Sequence, residues 1–160
     1  GWIGRGNNMN YGVTILSAAS VERLETRQLN QQEITEFAAI LSRAAGQQET
    51  ATQFLQSLSQ DELKLVQKAH SLARPIQLSA LSREGAQNLL SQPDGSDLVD
   101  LNNDGLVEVG EGKTIHFPPV NAPASVKAAW LRISVNPNGH FGFIRSLFLL
   151  LFRPYQFYLK

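Results

Sequence analysis

The chain has 160 residues, 42% hydrophobic and 18% charged, with 14 basic and 14 acidic side chains and no cysteine. That is enough apolar matter for one cored domain or two small ones, and too much for wholesale disorder. The neutral balance argues against a nucleic-acid partner. The lack of cysteine excludes disulfides, thiolate zinc sites and cysteine nucleophiles.

Residues 1–12 are rich in Gly and Asn and read as an arm. Gly4 and Gly6 make a G-x-G, but no strand precedes it and the third glycine is misplaced, so a nucleotide loop is not expected. A start at Gly1 in place of Met points to a processed end, a tag remnant or a cut from a longer protein, and no signal peptide is visible. Val13 to Leu16 leans to strand, and Val21 to Leu29 to helix.

Four short helices are then expected. Asn30 and Glu33 form a capping box, followed by Ile34, Phe37, Ala38, Leu41 and Ala45 at helical spacing, with Gly46 as the stop. A second helix begins near Thr50 or Thr52 and carries Phe54, Leu55 and Leu58. Ser59 and Glu62 make another capping box, and Leu63, Val66, Ala69, His70 and Ala73 line one face up to Pro75. Ser82 to Gln92 is the fourth helix, with Ala86, Leu89 and Leu90 inward; Gly85 weakens it by about 1 kcal/mol against Ala.

The stretch Asp100 to Glu111 reads D-L-N-N-D-G-L-V-E-V-G-E. Oxygen-bearing side chains stand at its first, third, fifth, ninth and twelfth places: Asp100, Asn102, Asp104, Glu108 and Glu111. Ca²⁺ takes six to eight hard oxygens, and a short loop can supply them only by curling round the ion. Gly105 at the sixth place permits the sharp turn, Leu106 at the seventh offers a carbonyl, and apolar Val107 suits an anchor. The stretch resembles the EF-hand calcium loop, D-x-[DN]-x-[DN]-G-x₅-E, over these twelve residues alone. The resemblance implies metal ligation by Asp100, Asn102, Asp104, the Leu106 carbonyl, Glu108 and Glu111. The other reading is an acidic turn joining two strands, with no metal.

The flanks depart from the EF-hand pattern. Pro93, Asp94, Gly95 and Ser96 would end any entering helix early, and Gly110 and Gly112 leave room afterwards for one helical turn or a short strand. Leu98-Val99 and Val107 to Val109 could be short β segments, which makes the loop EF-hand-like, with a helix-loop-strand variant open. Dockerin repeats and the calcium loops of β-propeller blades share the D-x-N-x-D-G core, but the first come as two copies and the second as several, and this chain has one. Whether Glu108 or Glu111 closes the coordination shell stays open.

Beyond the loop, Pro118, Pro119 and Pro123 mark an extended connector, and Asn121 is a candidate cap for a helix from Ala122 to Ala129. Trp130 to Val135 alternates with period two and reads as a strand; Asn136-Pro137-Asn138-Gly139 is a turn signal. The stretch from Phe141 to Lys160 is the most hydrophobic, but its unbroken apolar run, Leu147 to Phe152 between Arg145 and Arg153, is too short for a membrane span of about 20 residues; the stretch reads as a buried element, an interfacial anchor or a docking segment.

The three histidines, His70, His116 and His140, lack ligand spacing, and no nucleophile elbow, H-E-x-x-H or P-loop occurs, so an enzyme is not expected. The sequence therefore predicts a mainly α fold with a small β portion: short helices, an EF-hand-like calcium loop, then a short β segment. Its segments are 1–29, arm and ambiguous region; 30–117, helical domain carrying the loop; and 118–160, connector, strand and apolar segment. The expected function is a bacterial-type exported calcium-binding domain, periplasmic or extracellular, with a structural or regulatory Ca²⁺. The alternative is a protein docking on a partner or a membrane surface through Phe141 to Lys160.

Overall fold

A computed structural model describes residues 16–135. Among them the fold is mainly helical with one small sheet, in the order α1 (Ala18–Thr26), α2 (Gln31–Ala45), α3 (Ala51–Ser57), α4 (Gln60–Ala69), a 3₁₀ turn at Leu78–Ala80, α5 (Arg83–Leu89), β1 (Leu106–Val109), β2 (Gly112–Ile115) and α6 (Ala124–Val135). This is the mainly α fold with a small β portion that the sequence predicts. Residues 1–12, the Asn136–Gly139 turn and the Phe141 to Lys160 run lie outside the described residues.

The chain divides into two compact units. The first is Gly1–Leu98 with Val109–Gly112; the second is Val99–Glu108 with Lys113–Lys160.

In the first unit, α2 packs on α4, and α3 on α5. Leu24, Phe37, Ile40, Leu55, Val66, Ala86 and Leu89 are among the buried residues of its core. The caps carry much of the local specification. Asn30, Thr50 and Ser59 each accept from the backbone N–H three residues on, and Glu33, Gln53 and Glu62 each return a bond to the cap.

The Glu33 and Glu62 carboxylates also join α2 to α4. Lys68 near the end of α4 donates to Glu33 at 2.8 and 2.9 Å, and Arg43 near the end of α2 donates to Glu62. Each helix start thus faces the other's end, so the two run antiparallel, with acids at N-termini and bases at C-termini as the helix dipoles favour. Lys68 and the Asn30 backbone hold Glu33 below the usual carboxylate range. The Ser59 backbone bond, with Arg43 beside it, does the same for Glu62.

The start of α1 is tied to the turn that follows α5. Ser17 caps α1 by accepting from the Ser20 N–H at 2.9 Å, and its hydroxyl donates to Asp94 at 2.5 Å. The Asp94 N–H donates to the Ser20 hydroxyl at 3.2 Å. Burial alone would raise the Asp94 pKa, but the bonds from Ser17, Ser96 and Ser20 hold it low. Pro93 to Ser96 is therefore a structured turn that ends the helical run.

His70 is the C-cap of α4. Its Nε2 lies 2.9 Å from the Leu89 carbonyl, and its ring stands edge-on to Phe37 with centroids 5.9 Å apart. It is a structural histidine that links the ends of α4 and α5, and burial lowers its pKa to about 4.

Three sequence expectations are corrected. Trp130 to Val135 is the second half of helix α6 and not a strand. Six residues can satisfy period two by chance, while Ala124 to Ala129 favours helix and the first stop signal comes at Pro137. Asn121 does not cap this helix: the Pro123 carbonyl accepts its first bonds, from Val126 and Lys127 at 2.9 and 3.1 Å. Leu98-Val99 is not a strand; β1 pairs with β2. Two residues, Gly110 and Glu111, connect these strands, so the pair is an antiparallel hairpin.

Candidate metal centre

Residues 100–108 of the loop belong to the second unit and Val109 to Glu111 to the first. The first half of the loop is curled by its own side chains. Asp100, only 8% exposed, accepts from the Asp104 N–H at 3.3 Å through Oδ1 and from the Gly105 N–H at 3.0 Å through Oδ2. The Asn102 Oδ1 accepts from the same Asp104 N–H at 3.0 Å. Asp104 Oδ1 accepts from the Leu106 N–H at 2.8 Å, and its Oδ2 accepts from the Asn102 Nδ2 at 3.1 Å. These bonds fold the seven-residue segment Asp100–Leu106 back on itself and bring three side-chain oxygen donors, Asp100, Asn102 and Asp104, into one curl.

The curl needs two left-handed residues. Asn103 has φ 57° and Gly105 φ 83°. No atom lies within 4 Å of a Cβ built on Gly105, so the backbone angle and not crowding calls for glycine there. Val107, at the exit of the curl, is buried, with 1% exposed.

The later acids are placed differently. Glu108 lies on β1 and pairs across the hairpin with Lys113 at 2.8 Å. Glu111 occupies the second place of the hairpin turn and is exposed, with the whole of β1 between it and Gly105. The helix that an EF-hand needs after its last ligand is replaced by this hairpin. The structure thus gathers Asp100, Asn102 and Asp104, sets Leu106 and Glu108 on the adjoining strand, and puts Glu111 in the turn. Among the described residues, no group of three or more His, Cys, Asp or Glu is arranged to hold a metal ion.

The donor set still suits a hard cation in part. Each carboxylate oxygen has a second lone pair after accepting one N–H. Two carboxylates and one amide oxygen, with the Leu106 carbonyl, would offer about four of the six to eight oxygens that Ca²⁺ takes, leaving the rest to water or Glu108.

Sequence reasoning read Asn121 as a helix cap and missed its link to the loop. Its Nδ2 donates to the Asp100 carbonyl and to Asn103 Oδ1, both at 3.0 Å. Nothing in the local pattern could reveal this, since the partners lie 21 and 18 residues back. The same unit carries Phe117 edge-on to Trp130, with centroids 4.4 Å apart. No family model, curated protein or solved structure matches this chain.

Proposed function

We propose that the chain is a calcium-binding domain whose Ca²⁺ is held by Asp100, Asn102, Asp104 and the Leu106 carbonyl. The observation that carries this reading is the self-curled Asp100–Leu106 segment, in which three oxygen-bearing side chains at alternate places turn to one region around a left-handed Gly105. A loop already curled needs less ordering when the ion arrives, which favours binding. The exit through β1 favours Glu108 over Glu111 as the acid that completes the shell, on exchange of its Lys113 partner for the ion. The metal's role is to stabilise the fold or to regulate a contact. A lone loop of this kind is weak, which suits a periplasmic or extracellular setting where free Ca²⁺ is high.

Calcium calorimetry on substituted chains tests the ligand set. Asp100→Ala is expected to weaken binding at least tenfold, about 1.4 kcal/mol. Binding as tight as wild type in that variant would remove the loop from consideration.

A second reading, docking on a partner protein or a membrane surface, has one observation in its favour. Ile115, Phe117, Val126 and Leu131 of the second unit are 50%, 51%, 47% and 63% exposed. None of the described helices is long and apolar enough to cross a membrane. Vesicle co-sedimentation with and without Ca²⁺ separates the two readings: docking alone is indifferent to the ion.

A further inference from the structure

We propose that Asn121 is the positioning residue of the calcium loop, an inference that rests on the calcium reading above. One carboxamide spends its donor nitrogen on two points of the curl. The first is the Asp100 carbonyl, where the loop begins; the second is Asn103 Oδ1, at the tip of the turn. Asn103 is a non-glycine residue at φ 57°, a conformation that needs outside support to persist. The support comes from a neutral donor, which adds no charge that would compete with a cation for Asp100 and Asp104. Lys113 on Glu108 is the opposite case, because that ammonium must yield before Glu108 can ligate.

The bonds that shape the curl itself are internal: the carboxylates and Asn102 accept from amides inside Asp100–Leu106. Internal bonds define the curl but all melt together with it. Asn121 reaches in from the connector between Pro119 and Pro123, whose prolines restrict its backbone. It therefore holds the loop in its curled form before the metal arrives, and pre-organisation of this kind raises affinity without adding a ligand. The carbonyl that opens α6 is that of Pro123, so Asn121 stands outside the helix, in the connector.

The test is calcium calorimetry on the wild type, Asn121→Ala, Asn103→Gly and the double variant, with amide hydrogen exchange on the calcium-free proteins. Glycine at 103 keeps the left-handed backbone while deleting one of the two acceptors. Asn121→Ala is expected to raise the Kd about three- to tenfold and to speed exchange at Asp104 and Gly105. Exchange in α2 and α4, and the Trp130 indole resonance, should stay as in wild type, which separates loss of position from loss of fold. Asn103→Gly should have a smaller effect, and the double variant should bind no more weakly than the sum of the two, because they share one contact. An unchanged Kd in Asn121→Ala, beside a wild type that binds, overturns the positioning role alone. A wild type that takes no calcium overturns the calcium reading and this proposal with it.

Discussion

The Gly110 N–H donates to the Gly85 carbonyl at 3.0 Å, and a Cβ on Gly85 would stand 2.1 Å from the Gly110 carbonyl oxygen. The hairpin turn and the first turn of α5 therefore meet backbone to backbone. Gly110 itself has φ 62°, which a two-residue hairpin turn favours at its first place.

Gly85→Ala should for this reason destabilise the chain, although alanine is the better helix former by about 1 kcal/mol. The intruding atom is a backbone carbonyl and cannot step aside cheaply. We expect a net loss of about 1–3 kcal/mol, the usual range for overpacking. Urea unfolding followed by circular dichroism measures it; a variant more stable than wild type would contradict the close approach.

His70 sets an acid limit on the helical unit. Burial lowers its pKa to about 4 against the opposing pull of the Leu89 carbonyl, and Arg27 pushes the same way as burial. The unfolded imidazole titrates near 6.5. The folded state thus prefers neutral His70, so its contribution is complete above pH 6.5 and is lost as pH falls from there through about 4. The loss amounts to as much as about 3 kcal/mol. Chemical unfolding at pH 7 and at pH 4.5 should show the fall in wild type. In His70→Gln the part of that fall between pH 6.5 and 4.5 should shrink; an equal fall in both would assign it elsewhere.

The sequence made the helices legible where the signal was local. Asn30–Glu33 and Ser59–Glu62 are capping boxes written within four residues, and the structure contains both. Gly85 was legible only as a weak helix former, because the Gly110 carbonyl that explains it lies 25 residues on. Helix α6 was misread over Trp130 to Val135, where six alternating residues fit a strand as well as a helix and only the preceding alanines decide. In the loop, Asp100, Asn102, Asp104, Gly105 and Val107 could be read from spacing. The hairpin that carries Glu111 into a turn could not, because a G-E-G turn and a twelfth-place ligand look alike in one dimension.

That difference gives a prediction on the acids. With β1 between Gly105 and Glu111, Glu108→Ala should weaken Ca²⁺ about tenfold or more, near 1.4 kcal/mol, and Glu111→Ala should change the Kd less than threefold. Calorimetry on the two variants decides. A severe Glu111→Ala with a silent Glu108→Ala would restore the twelfth-place EF-hand ligand.

Calcium should also stabilise without switching. One loop has no partner loop to couple with, so binding acts by mass action on the folded state, worth roughly 2.7 kcal/mol when free Ca²⁺ is 100 times the Kd. A thermal melt should rise by several degrees in one noncooperative step, with no marked change of radius by small-angle scattering. A Hill coefficient near two would contradict this and direct attention to dimers.

Calorimetric titration of the folded chain with Ca²⁺ tests the account at its centre. It should show one saturable site, weakened at least tenfold in Asp100→Ala, with a Kd on the order of 10⁻⁵ to 10⁻³ M, between sensors and extracellular modules. No heat up to millimolar Ca²⁺, in a chain whose circular dichroism shows its helices formed, would contradict it and leave Asp100–Glu111 an acidic turn.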